Sequence, residues 1–109
     1  VHMNLAPVAD VNNNKANSVI HDRSFGDDPE RVAQFATLFT RGLQDAGVLA
    51  CAKHFPGHGD TNVDSHVNLP VIEHDRARLN SVELIPFKRL IQNGVDAIMH
   101  AHLHVPALD

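Results

Sequence analysis

Apolar positions along this chain change period several times, and the changes divide it into alternating strands and helices. His2–Val8 (H-M-N-L-A-P-V) reads as a short strand. From Ala9 to Asp27 the pattern turns polar, with Asn12, Asn13, Asn14, Asn17 and Ser18 favouring turns. A helix is then announced by Asp28 as cap, Pro29 at the first helical position and Glu30 against the dipole. Val32, Phe35, Ala36, Phe39, Leu43 and Ala46 follow at helical spacing, and Gly47 stops the run. Val48–Ala52 is a continuous apolar stretch, the mark of a buried strand. Asp75–Asn93 is again helical, with Leu79, Val82, Phe87, Leu90 and Ile91 apolar. Pro86 is expected to divide this helix, because the residue before a proline is pushed out of helical geometry. Gly94 ends it, and Val95–Met99 is a third strand. Phe35, Phe39 and Phe87 are read as core.

The order β-loop-α-β-loop-α-β predicts an α/β fold with a parallel sheet and right-handed crossovers. Three strands cannot close a barrel, and a parallel sheet needs cover on both faces. Two helices leave one face partly bare, so the chain is expected to be a segment of a larger domain. A (β/α)₈ barrel of the TIM type fits better than a doubly wound sheet. The long polar segments follow strands, whereas the helix-to-strand connections are a bare Gly47 and Gly94. That asymmetry places the chemistry at the carboxyl ends of the strands.

Composition narrows the function classes. At 109 residues there is one domain at most. Nine basic against thirteen acidic residues give a net charge of −4, which lacks the basic footprint that phosphate backbones require, so nucleic acid is not expected as a partner. No apolar run approaches the ~20 residues of a membrane span. The chain begins at Val1 rather than Met, with no signal peptide visible, and nothing in it identifies a compartment. Cys51 is alone, within an apolar run, and reads as a buried thiol.

The chemistry is concentrated between Ala52 and Pro70 (A-K-H-F-P-G-H-G-D-T-N-V-D-S-H-V-N-L-P). Pro56, Gly57 and Gly59 force an irregular path. Lys53, His54, His58, Asp60, Asp64 and His66 are packed into it, a density of titratable groups that points to an active-site loop on a strand end.

K-H-F-P-G-H-G-D-T-x-x-D-S-H, Lys53 to His66, resembles the signature loop of bacterial β-N-acetylglucosaminidases of glycoside hydrolase family 3. Asn4–Asn12 (N-L-A-P-V-A-D-V-N), Arg23–Gly26, Gly42–Val48, Glu83–Lys88 and Ala101–Asp109 extend the resemblance over nearly the whole chain. It implies that residues 1–109 are part of an N-terminal catalytic domain, a (β/α)₈ barrel of which this chain holds about the third to fifth strands. It also implies retaining hydrolysis of terminal β-linked N-acetylglucosamine, from muropeptides or chitooligosaccharides, without a cofactor. By the same resemblance His66 is the acid/base, Asp64 its partner, and Arg23, Lys53 and His54 bind sugar. The family's nucleophile, an aspartate on a later strand, falls outside the chain, so these residues alone are expected to hydrolyse nothing.

The residues make their own case for Asp64-Ser65-His66. An unperturbed imidazole titrates near neutrality, which suits a group that must first give and then take a proton. A neighbouring carboxylate can hold one ring nitrogen and stabilise the imidazolium. Contact at i, i+2 requires the loop to turn there. The bland alternative is a solvated histidine beside a capping aspartate. Lys53 likewise has the alternative of snorkelling outward, and Arg23 that of pairing with Asp22 or Asp27. His58 and Asp60 are expected to brace the loop by bonding its backbone.

Two rival functions stay open. His100, His102 and His104 alternate, and if the third strand reaches them they share one face, as in metal hydrolases. A non-catalytic sugar-binding fragment is the other. In either case exposed sheet edges call for a partner, the remaining strands or a second copy.

Overall fold

The computed structural model describes residues 1–14, 20–60 and 69–108. Three strands, β1 (Met3–Asn4), β2 (Leu49–Phe55) and β3 (Ala97–His100), form one sheet in the order β1-β2-β3. Both pairings are parallel, and β1 and β3 are its edges. Three helices connect them: α1 (Pro29–Asp45), α2 (Arg76–Ser81) and α3 (Leu84–Gln92). A 3₁₀ turn, His21–Arg23, lies in the segment between β1 and α1.

The first strand is shorter than the pattern predicts. Pro7 has no N–H to give, so the regular ladder stops early. The chain nevertheless stays beside β2. The N–H groups of Leu49, Cys51 and Lys53 donate to the carbonyls of His2, Ala6 and Pro7, and Ala9 N–H returns a bond to the Lys53 carbonyl.

Helix α1 starts as its sequence dictates, with the Asp28 side chain accepting from Glu30 N–H. Its buried stripe is Val32, Ala33, Ala36 and Thr40. Phe35 and Phe39 depart from the expected core. They lie one position back from Ala36 and Thr40, about 100° round the helix, and are 41% and 42% exposed. Both stack instead against Phe25, with ring centroids 6.0 and 6.2 Å away. The side chains that approach the sheet are small. Ala36 joins Ala9, Ala52, Phe87 and Leu90 in the main core cluster. Burying Phe87 and Leu90 there contributes about 1.5–3 kcal/mol each.

The break in the second helical run falls upstream of its proline. Helix α2 ends at Ser81, and Pro86 sits in the first turn of α3. A first-turn residue has no intrahelical acceptor for its N–H, so proline costs nothing there. Asp75 caps α2 by accepting from Arg78 N–H. Ile72 and Leu79 of this region pack with Val105 in a second, smaller cluster. Val71 pairs with His104 beyond β3.

Strand β2 runs three residues past the predicted end at Ala52. Backbone pairing does not require apolar side chains, and Lys53 and Phe55 pair with Met99 and His100 of β3 across an irregularity in register. Strand β3 stops at His100, so the strict alternation that would place His100, His102 and His104 on one face is not met. Apolar Met3, Leu5, Leu49 and Ile98 on or beside the strands retain 36–51% exposure. No helix among the described residues is long and apolar enough to cross a membrane.

Candidate active site

Asp10 leaves the end of the first strand segment between Ala9 and Val11, all three buried. Its carboxylate receives the loop that follows β2. One oxygen, Oδ1, accepts the backbone N–H of His54 at 3.2 Å and of His58 at 2.6 Å. The other, Oδ2, lies 2.7 Å from Nδ1 of the His54 ring. Ser24 Oγ–H fixes the Asp10 backbone through its carbonyl at 2.6 Å. The side chain of Asp10 is fully buried while that of His54 keeps 18% exposure.

Glycines let the loop descend onto this carboxylate. A side chain at Gly59 would place its Cβ 1.8 Å from the Val11 carbonyl oxygen, an overlap no rotamer relieves. Gly57, at φ +140°, lies against Glu83, whose Cβ would stand 3.0 Å from a Cβ there. Residues 56–60 are thus held between the exit of the first strand and the junction of α2 with α3.

Charged groups hold that junction. Glu83 is 2% exposed, and its Oε1 accepts from Arg78 Nη2 at 3.2 Å. Asp60 Oδ2 faces His74 Nε2 at 2.5 Å and Arg78 Nη2 at 3.9 Å. Asp60, His74 and Glu83 each offer one ligand atom within 4.8 Å of the others, a grouping a divalent cation could use. The Arg78 guanidinium already stands beside both carboxylates and would repel such an ion, so the arrangement reads as an ion-pair network. His100, His102 and His104 are exposed and do not form such a group among the described residues.

Several residues singled out from sequence can now be placed. Lys53 and His54 stand at the carboxyl end of β2, both half-buried. His58 is buried beside them, its ring centroid 6.1 Å from that of His54. Its backbone, rather than its ring, supplies the bond to Asp10. Asp60 bonds a side chain, His74, where a backbone partner was expected. Arg23 is exposed at the end of the 3₁₀ turn. Asp64 and His66 lie outside the described residues. Sequence reasoning passed over Asp10, His74, Arg78 and the charged use of Glu83. The signal for Asp10 was present: an aspartate between Ala9 and Val11, where a strand end would otherwise be apolar.

Lysine and imidazole thus stand together at the carboxyl end of a parallel strand, over a buried carboxylate, and the chain belongs to glycosyl hydrolase family 3. Residues 1–109 match the glycosyl hydrolase family 3 N terminal domain. Among curated relatives, β-hexosaminidase A of Pseudoalteromonas piscicida is 46% identical over all of this chain, which spans 18% of that protein. Among solved structures, the family 3 β-N-acetylglucosaminidase of Paenibacillus sp. str. FPU-7 superposes with a TM-score of 0.99 at 53% identity. That match covers all of this chain and 21% of the enzyme. The β-glucoside phosphorylase BglX superposes with a TM-score of 0.95 at 31% identity, over 98% of this chain and 19% of its own. The chain therefore spans about a fifth of the length of these relatives.

Proposed function

We propose that these residues are about the third to fifth strands of a (β/α)₈ barrel, within the catalytic domain of a retaining glycosidase that releases terminal β-linked N-acetylglucosamine. The observation that carries the reading is the likeness, at 53% identity and TM-score 0.99, to a solved β-N-acetylglucosaminidase over the whole chain. The remaining strands would supply the partner for the open sheet edges, and with them the nucleophile.

In this reading Lys53 and His54 grip sugar hydroxyls from the end of β2, and Arg23 reaches the substrate from the loop after β1. His58 and Asp60 keep the loop in shape. His66 protonates the departing oxygen and then deprotonates water, with Asp64 steadying its imidazolium. Removing a general acid/base costs ~10²–10⁴-fold. In the full-length protein His66→Ala should lower turnover by that order for a disaccharide, and far less for an aryl glycoside whose leaving group needs no proton. Equal losses on both substrates would remove His66 from that role. Proton NMR of the first-formed product should show the β anomer; the α anomer would exclude retention.

One relative is named a phosphorylase, and that favours a second reading in which phosphate replaces water as acceptor. An imidazolium admits an anionic acceptor more readily than a second carboxylate would, since like charges repel. Turnover in inorganic phosphate separates the two: free sugar supports hydrolysis, and a sugar 1-phosphate supports transfer.

A further inference from the structure

We propose that Asp10 sets the tautomer of His54, keeping hydrogen on Nδ1 and leaving Nε2 as an acceptor for a substrate hydroxyl. This rests on the glycosidase reading for the identity of the ligand, but the tautomer itself follows from geometry. Oδ1 of Asp10 is already committed to two backbone N–H donors, from His54 and His58. Oδ2 meets the ring at Nδ1, 2.7 Å away. A carboxylate has only acceptors to offer, so the hydrogen in that contact belongs to the ring. Among the described residues nothing bonds Nε2, and the side chain as a whole keeps 18% exposure, which leaves His54 within reach of a ligand.

An acceptor at Nε2 recognises a group that donates. The hydroxyls of a sugar can do so, and Lys53 beside it offers only N–H donors. Neighbouring residues of opposite hydrogen-bonding sense suit one hydroxyl that gives to His54 and another that receives from Lys53. Asp10 is thus a positioning residue, acting on substrate through the imidazole. Its carboxylate resembles the one that fixes the histidine of a hydrolytic triad, applied here to binding.

Asp10→Asn tests this in the full-length protein. The amide oxygen can keep both backbone bonds, while the amide nitrogen replaces Oδ2 and donates to Nδ1. The ring must then carry its hydrogen on Nε2, and the acceptor becomes a donor. Nitrogen-15 NMR of the histidine rings between pH 6 and 9 should show Nδ1–H for His54 at the alkaline end, and Nε2–H in the variant. On a β-N-acetylglucosaminide the variant should raise KM at least tenfold, with kcat on an aryl glycoside changed less. In a His54→Ala background the same change should cost less than twofold. A wild-type ring protonated at Nε2, or an undiminished cost of Asp10→Asn without His54, would overturn the proposal. The wild-type ring spectrum decides even if the variant does not fold. A protein that turns over no hexosaminide while showing Nδ1–H would retire the glycosidase reading and support the tautomer.

Discussion

The two ends of this small sheet solve one problem with the same residue type and reach different results. At the end where strands begin, Asp96 Oδ2 accepts Ala50 N–H at 2.9 Å and Gln44 Nε2–H at 3.1 Å. Gln44 also reaches the carbonyl of Gly94 at 2.9 Å, tying α1 to the turn before β3. At the end where strands finish, Asp10 accepts from two backbone donors and a ring. Each carboxylate replaces a ladder partner that a strand end lacks. Asp96 works in reach of water, which can substitute for it. Asp10 is fully buried, where nothing can. An aspartate in the first setting ties elements together; in the second it can also dictate the state of a neighbouring side chain.

Removing the buried carboxylate should do the most damage. Asp10→Ala strands two backbone donors at about 1–3 kcal/mol each, so a loss of roughly 2–6 kcal/mol is expected in urea unfolding of the full-length protein. A shift as small as that of an exposed substitution would erase the contrast between the ends. Gly59→Ala comes next. Its Cβ would meet backbone rather than a movable side chain, and the overpacking should cost about 1–3 kcal/mol and lower activity with it. An unchanged melt would mean that the loop does not rest on Val11.

Asp96 should show the smallest effect, and one that depends on acidity. Its carboxyl is held below the usual 3.8, first by the Ala50 N–H and then by the Gln44 side chain. A lowered value means that the folded state favours the charged form. The stabilisation is therefore complete above the unfolded value and fades as pH falls through the folded one. The stability gap between wild type and Asp96→Asn should be constant from pH 7 to 5 and narrow below 3.8. A gap that widens in acid would contradict the assignment.

Much of this was legible beforehand because local rules and tertiary structure agree. Asp28-Pro29-Glu30 starts a helix whatever surrounds it, and Gly47 and Gly94, at φ +77° and +79°, stop the two long helical runs for a backbone reason. The parallel α/β order followed from period alone. What failed depended on neighbours. Phe35 and Phe39 fit a helical pattern, yet only packing decides which flank of an amphipathic helix faces the sheet. Pro86 signals a break, but its place in the first turn of α3 depends on where α2 ends. The loop residues were legible as a dense group of titratable side chains. Their anchor was not, because Asp10 lies 44 positions before His54 and shares no local motif with it.

The close approach of Gly59 to the Val11 carbonyl has an evolutionary corollary. In any chain that keeps this contact, position 59 is closed to every alphabet letter but one. Change in this part of the fold must be written elsewhere, by residues free to vary around a position that is not.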